Sequence, residues 1–402
     1  MLCGKERCPL VVKFYTRRSV QPLIDATSMA GASPPGVFIG RYGYPKVLIG
    51  PLIPPVHGDT TLMDTPELWR GLSIDDIVRF RFSLVRGKSL TDIHAPARID
   101  WKGASMGKIV DSTREMAMAT SSVEVAAEFE KKPSMQMVMN DEVQPFGPSA
   151  PLKRIDPQSI KLDHKIEKAF FDIDLKAREA VLSLYNDGTL VTNIQKSFSV
   201  GAFGLAKNRK FVPTRWSITA VDSIISERMM EETRQAPLIN EYRTYEYDQL
   251  DNRWIVLMMP CSWRYELMEA WYPNTIWNPF GKDVVLLSDY EFHDGRKTYA
   301  EIGGCYYASR LAVNELLTSE RRQAGVVVMR EAHPGYIMPV GVWNVREAVR
   351  NALKQRPKSY PTLRDALVCV GEVMDIPVLT WIRKSGIMSD MLLQKRLEDF
   401  AK

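Results

Sequence analysis

The chain has 402 residues, 45% of them hydrophobic and 25% charged, and a formal net charge of +5. Those proportions belong to a globular protein with room for two or three domains and a mildly basic surface. No apolar run reaches the roughly 18 residues of a membrane span and no signal-peptide hydrophobic region opens the chain, so a cytoplasmic protein without membrane contact is expected.

In chain order, the first 60 residues are broken up by proline and glycine and read as loops around short strands at Val37–Ile39 and 47–49. A charged helix is predicted over 66–82, and the alternating signs from Asp75 and Asp76 to Arg86 and Lys88 mark a solvated face. Residues 116–130 mix alanine with valine and fit a strand or a helix. Four prolines within 145–157 predict a loop. Helices follow over 176–185, stopped by Asn186-Asp187-Gly188, and over 218–234. Strands at 241–247 and 253–259 flank a turn at 248–252, as in a hairpin. Turn signals over 271–281 suggest a boundary. Beyond it come strands at 284–287 and 326–329, and helices at 306–320, 345–353 and 363–374. The sum is an α+β protein. A sheet-containing N-terminal domain is expected over 1–275, a smaller helix-rich α+β domain over 276–388, and a flexible tail over 389–402.

The five cysteines are an odd number and argue against a disulfide framework. Cys261, Cys305 and Cys369 sit among apolar residues and read as small core residues. Cys3 and Cys8 lie close together in a loop-like segment and would supply half of a tetrahedral zinc site.

The densest group of chemistry-bearing residues lies in one block. Lys207, Arg209, Lys210 and Arg215, with Phe211, Trp216 and hydroxyls at Thr214 and Ser217, precede a helix expected to begin near Ile218, with Ser217 as its N-cap. Cations, backbone N–H donors and the helix dipole converge there, which suits phosphate; Trp216 is placed to stack a base and Arg215 to hold a phosphate. The bland reading is a capped helix behind a basic solvated loop. Gly303 and Gly304 lead into another helix that puts Tyr307 and Arg310 on one face, although such a glycine pair more often makes a tight turn. His57 with Asp59, and His293 with Asp294, pair an imidazole with a carboxylate, the raw material of general-base chemistry. Asp172 and Asp174 would share one face of a strand as a divalent-metal pair. The sequence shows no P-loop, no H-E-x-x-H and no G-x-S-x-G.

At the end of the sequence Gln394, Leu397 and Phe400 follow the spacing Q-x-x-L-x-x-F. One helical turn with that spacing projects two apolar anchors and an amide onto one face. It resembles the peptide by which replication and repair proteins dock onto the sliding clamp. Ala401 follows Phe400 where such peptides usually carry a second aromatic, so weak docking is expected. The bland reading is the end of an amphipathic helix continuing from Met391, Leu392 and Leu393.

Several segments together resemble the Nre family of archaeal DNA repair proteins. They are Leu2-Cys3-Gly4 with Cys8-Pro9, Tyr44-Pro45-Lys46-Val47 with Gly50-Pro51-Leu52, the run from Phe211 to Asp222, the run from Gly303 to Arg310, and Val340-Gly341-Val342-Trp343. The resemblance implies a role in the response to DNA damage and a clamp-binding C-terminal peptide, and it brings no defined reaction. Members commonly begin with a four-cysteine zinc element. This sequence shows one pair, Cys3 and Cys8, so zinc follows only if that half-site is completed.

The expected function is that of a DNA repair protein bound to the sliding clamp through Gln394, Leu397 and Phe400. It would contact DNA or a nucleotide through Lys207, Arg209, Lys210, Arg215 and Trp216. One alternative is an enzyme acting on DNA or a nucleotide cofactor, with Arg215, Asp222 and Tyr307 lining its cleft. Another is a protein-only adaptor between the clamp and excision repair enzymes.

Overall fold

The computed structural model describes residues 26–393 apart from 103–104 and 135–146, with scattered positions between 11 and 24. Cys3, Cys8, Gln394, Leu397 and Phe400 lie outside the described residues. The chain divides into two compact units, one up to Ile225 and one from Ser226.

The first unit carries strands β1 (Ser28–Ser33), β2 (Val37–Ile39), β3 (Lys46–Ile53), β4 (Val85–Asp92), β5 (Val123–Phe129) and β6 (Ser149–Pro157). They form one sheet in the order β1-β5-β6-β4-β3-β2. Neighbours are antiparallel except β4 and β6. Within 116–130 the period settles into a strand: Val123, Val125, Ala127 and Phe129 are buried and join Ile53, Val85, Leu152 and Ile155 in the core. Gly50 is a close-approach position, since a Cβ there would lie 1.8 Å from the Gly87 carbonyl oxygen on β4.

Two expectations change here. The proline-rich stretch 145–157 is not all loop, because β6 runs through it. Pro151 stands at the last pair of the β6–β4 ladder, where the missing N–H costs little. Asp172 and Asp174 do not share a strand. Asp172 ends a helix, and its Oδ1 accepts the N–H groups of Asp174 at 3.2 Å and Leu175 at 3.0 Å in a turn.

Helices of this unit are α1 (Ile74–Ser83), α2 (Ala95–Lys102), α3 (Lys108–Ala117), α4 (His164–Phe171), α5 (Ala177–Asn186), α6 (Val191–Ser199) and the start of α7 (Thr214–Thr233). The predicted helix over 66–82 begins only at α1. Ser73 makes a capping box there, its Oγ accepting from Asp76 N–H at 3.2 Å while the Asp76 carboxylate accepts from Ser73 N–H at 3.3 Å. Buried Asp64 binds α6 and α1, accepting from Lys196 Nζ at 2.9 Å and Arg81 Nη1 at 2.7 Å.

The second unit holds β7 (Tyr242–Gln249), β8 (Asn252–Met259), β9 (Arg264–Trp271), β10 (Val285–Glu291), β11 (Gly325–Ala332) and β12 (Lys358–Tyr360), ordered β10-β9-β11-β8-β7-β12. Its helices are α8 (Gly304–Glu320), α9 (Trp343–Leu353), α10 (Leu363–Val373), α11 (Val378–Lys384) and α12 (Gly386–Leu393). The hairpin β7–β8 closes at Gln249 and Asn252 through Leu250 and Asp251, both at positive φ. The turn-rich stretch 271–281 connects β9 to β10, which pair with each other from Trp271 and Val285 onward.

The sheet is covered on both faces, so its central strand β11 is buried along its whole length. Val326 and Val328 face the core shared with Val313 and Leu317 of α8 and Val345 and Val349 of α9. Val327 and Met329 face the one shared with Ala366 and Val370 of α10, Trp381, and Ile387 of α12. Buried charges in this unit are met by partners. Arg330 donates to Glu269 Oε1 at 2.7 Å and Asn252 Oδ1 at 2.8 Å, and its guanidinium lies within 5.1 Å of the Trp254, Trp271 and Tyr336 ring centres. No helix among the described residues is long and apolar enough to cross a membrane.

Candidate nucleic-acid interface

The basic block of the first unit is divided by burial. Arg209 is 2% exposed and donates from Nε to the Gly204 carbonyl at 2.8 Å and from Nη2 to that of Asp172 at 3.0 Å. Its guanidinium also lies 5.3 Å from the Phe170 ring centre, so it holds the loop together instead of facing solvent. Lys207, Lys210 and Arg215 are exposed.

Helix α7 starts at Thr214, four residues ahead of the expected Ile218, because the Pro213 carbonyl takes the N–H groups of Trp216 at 2.8 Å and Ser217 at 3.0 Å. Ser217 is therefore not the cap. It is fully buried, and its hydroxyl donates to the Gln195 carbonyl at 2.5 Å. Thr214 Oγ1 accepts the Ile39 N–H at 2.9 Å, tying the helix start to edge strand β2. The early start places Arg215 and Trp216 in the first turn, where backbone N–H groups and the dipole favour an anion.

Trp216 is 45% exposed, and its ring centre lies 5.6 Å from that of Tyr44, itself 50% exposed. Tyr44 sits in the turn between β2 and β3, which Gly43 permits at φ +86° and the Lys46 N–H closes onto the Gly43 carbonyl at 3.0 Å. The same turn exposes Tyr42, with the Arg41 guanidinium 5.7 Å from its ring centre, and Lys46. Ile93 joins the turn to the block: its N–H donates to Pro45 at 3.0 Å, and its carbonyl accepts from Phe211 at 2.8 Å. Arg98 on α2 is exposed, with the Asp92 carboxylate 3.6 Å away. Exposed rings thus sit beside cations at Tyr44 and Trp216 and in the turn that carries Tyr42, groups of the kind that stack bases and meet phosphates. Arg86 on β4 lies 4.7 Å from the Phe38 ring centre of β2, and burial pulls its pKa down to about 10.

Sequence reasoning did not connect Arg41, Tyr42, Tyr44, Lys46 and Arg98 with the basic block. A signal was present in the run Arg41-Tyr42-Gly43-Tyr44-Pro45-Lys46, where cations and rings flank a strand-to-strand turn.

The residues named for an enzymatic cleft fall differently. Asp222 is fully buried, its Oδ1 accepting from Gln195 Nε2 at 2.8 Å. Tyr307 belongs to the second unit. It is 7% exposed, stacks on Tyr299 at 5.3 Å, lies 5.3 Å from the Arg310 guanidinium, and accepts the Ala300 N–H at 3.0 Å. Arg310 in turn donates to buried Glu291 at 2.8 Å. His57 bonds Glu124 at 2.7 Å, not Asp59; the Gly58 N–H and then His57 hold the Glu124 carboxyl below its usual range. His293 is exposed. Cys369 is buried, and Cys261 and Cys305 pack partly buried against the two cores of the second unit.

Two family models match the chain, "Archaeal Nre, N-terminal" over residues 2–278 and "Archaeal Nre, C-terminal" over residues 291–400. Similar curated proteins include DNA repair protein NreB of Archaeoglobus fulgidus, 41% identical across 96% of this chain and 95% of that one. DNA repair protein NreA of the same organism is 37% identical across 91% and 90% of the two chains. DNA repair protein NreA of Haloferax volcanii is 33% identical across 94% and 90%. No solved structure matches the chain.

The burial split predicts two different stability effects. Arg209→Ala should lower the unfolding free energy by roughly 1.5–3 kcal/mol through two lost charged hydrogen bonds, and Lys207→Ala by less than about 0.5 kcal/mol. Urea denaturation measures both, and equal losses would contradict the division.

Proposed function

The chain belongs to the archaeal Nre family, and from that premise we propose that it is a DNA repair protein contacting nucleic acid through Tyr44, Trp216 and the cations around them. The observation that carries the reading is the exposed Tyr44–Trp216 pair at the start of a 20-residue helix, flanked by Lys46 and Arg215. A ring pair there gives a base two faces to meet, and the first turn of the helix offers N–H donors to its phosphate. The names of the relatives, DNA repair proteins NreA and NreB, support the repair context.

The proposal extends to the C-terminal spacing of Gln394, Leu397 and Phe400, which docks the chain on the sliding clamp. Tethering raises the local concentration of the nucleic-acid face at the replication fork, so each contact need only be weak.

Binding of a fluorescent single-stranded oligonucleotide, followed by anisotropy at several salt concentrations, tests the face. Trp216→Ala should weaken binding about five- to hundredfold, the worth of one stacked base. Arg215→Ala should flatten the salt dependence by roughly one unit of slope. Unchanged binding in both variants would remove this surface from the site. For the tether, Leu397→Ala combined with Phe400→Ala should abolish calorimetric binding to the clamp of the source organism and leave thermal unfolding unchanged. Persistent binding, or a loss of stability, would count against it.

A further inference from the structure

Glu331, at the end of β11, His333 just beyond it, and Asp375 after α10 converge in the second unit. Each offers one ligand atom, and the three atoms lie within 4.8 Å of one another. His333 Nε2 lies 3.7 Å from Glu331 Oε2 and 3.8 Å from Asp375 Oδ2. Both separations exceed hydrogen-bond range, and this buried nitrogen has no hydrogen-bond partner. Around a zinc ion, ligand atoms at about 2.1 Å from the metal stand roughly 3–3.5 Å apart, so small side-chain movements would close the set.

The groups are held in place. Glu331 is fully buried, and its two oxygens accept the N–H groups of Ile376 at 2.8 Å and Asp375 at 3.1 Å. Tyr272 stacks on the imidazole at 4.4 Å, and the backbone N–H of His333 donates to the Asp251 carbonyl at 3.0 Å, which fixes the main chain beneath the ring. Arg253 donates to Asp375 Oδ1 at 2.6 Å, leaving Oδ2 turned toward His333. Such outer contacts orient metal ligands.

We propose that Glu331, His333 and Asp375 bind a divalent first-row transition ion, zinc or manganese, with Asp375 on the exposed side. One imidazole nitrogen and two carboxylate oxygens suit these ions better than calcium or magnesium, which prefer all-oxygen sets. Three protein ligands leave the remaining positions to water. Two carboxylates face the imidazole, and a dication answers that negative field. This site is independent of the nucleic-acid face, and none of its residues is a cysteine.

The test uses the full chain carrying Cys3→Ser and Cys8→Ser, stripped with a chelator and titrated with Zn²⁺ by calorimetry and with Mn²⁺ by electron paramagnetic resonance. One equivalent of either ion should bind. His333→Ala should weaken it by roughly tenfold or more, and Asp375→Asn, at an exposed position, should do the same while circular dichroism stays unchanged. Should His333→Ala fail to fold, Asp375→Asn decides. No saturable binding of either ion, or unchanged binding in Asp375→Asn, would overturn the proposal and leave a charge cluster of His333 with its carboxylates.

Discussion

The hydrogen bond from the Ile39 N–H to Thr214 Oγ1 fixes the surface on which the functional reading rests. β2 is an edge strand, so an outward N–H has no ladder partner and needs another acceptor. Thr214 supplies it and thereby fastens the start of α7 to the sheet. Ser217, one turn along, is pinned to the Gln195 carbonyl on α6. With both ends of the first turn fastened, Trp216 lies against Tyr44 and Arg215 faces solvent. Arg209 does comparable work behind the surface by closing the loop that presents Lys207 and Lys210.

In the second unit the same rule, that a buried charge must find partners, is met by carboxylates on neighbouring strands. Glu269 takes the Arg330 guanidinium on the adjacent strand. Glu266 accepts the N–H groups of Gly386 and Ile387, each at 3.0 Å, and so fastens the first turn of α12 where the dipole favours a negative charge. Glu331 holds the backbone after α10 in the same manner, but it also faces an imidazole with a buried nitrogen left over.

The sequence shows some of this and hides the rest for physical reasons. The α+β class, the β7–β8 hairpin and β11 were legible, because alternation, turn residues and a run of valines each have one simple reading. Residues 145–157 were not, since counting prolines says nothing about whether the missing N–H faces a ladder, and Pro151 sits where it matters least. The start of α7 was misplaced because Ser217 has the chemistry of a cap, whereas its hydroxyl reaches a distant carbonyl. Arg209 and Lys207 look alike in sequence and differ only in burial. Tyr44 is some 170 residues from Trp216 in the chain, and only the sheet brings them together. The trio Glu331, His333 and Asp375 was invisible for the same reason, its third member lying on another element.

Exposed rings beside cations, as at Tyr44 and Trp216, would hold nucleic acid in the proposed reading without reading its sequence, because stacking and phosphate contacts are tolerant of base identity. Photo-crosslinking tests that directly: an oligonucleotide carrying 5-iodouracil is irradiated with the full chain, and the modified peptides are mapped by mass spectrometry. Adducts on Tyr42, Tyr44 or Trp216 are the expected result. Adducts confined to peptides that contain none of these three residues would contradict the assignment of this face.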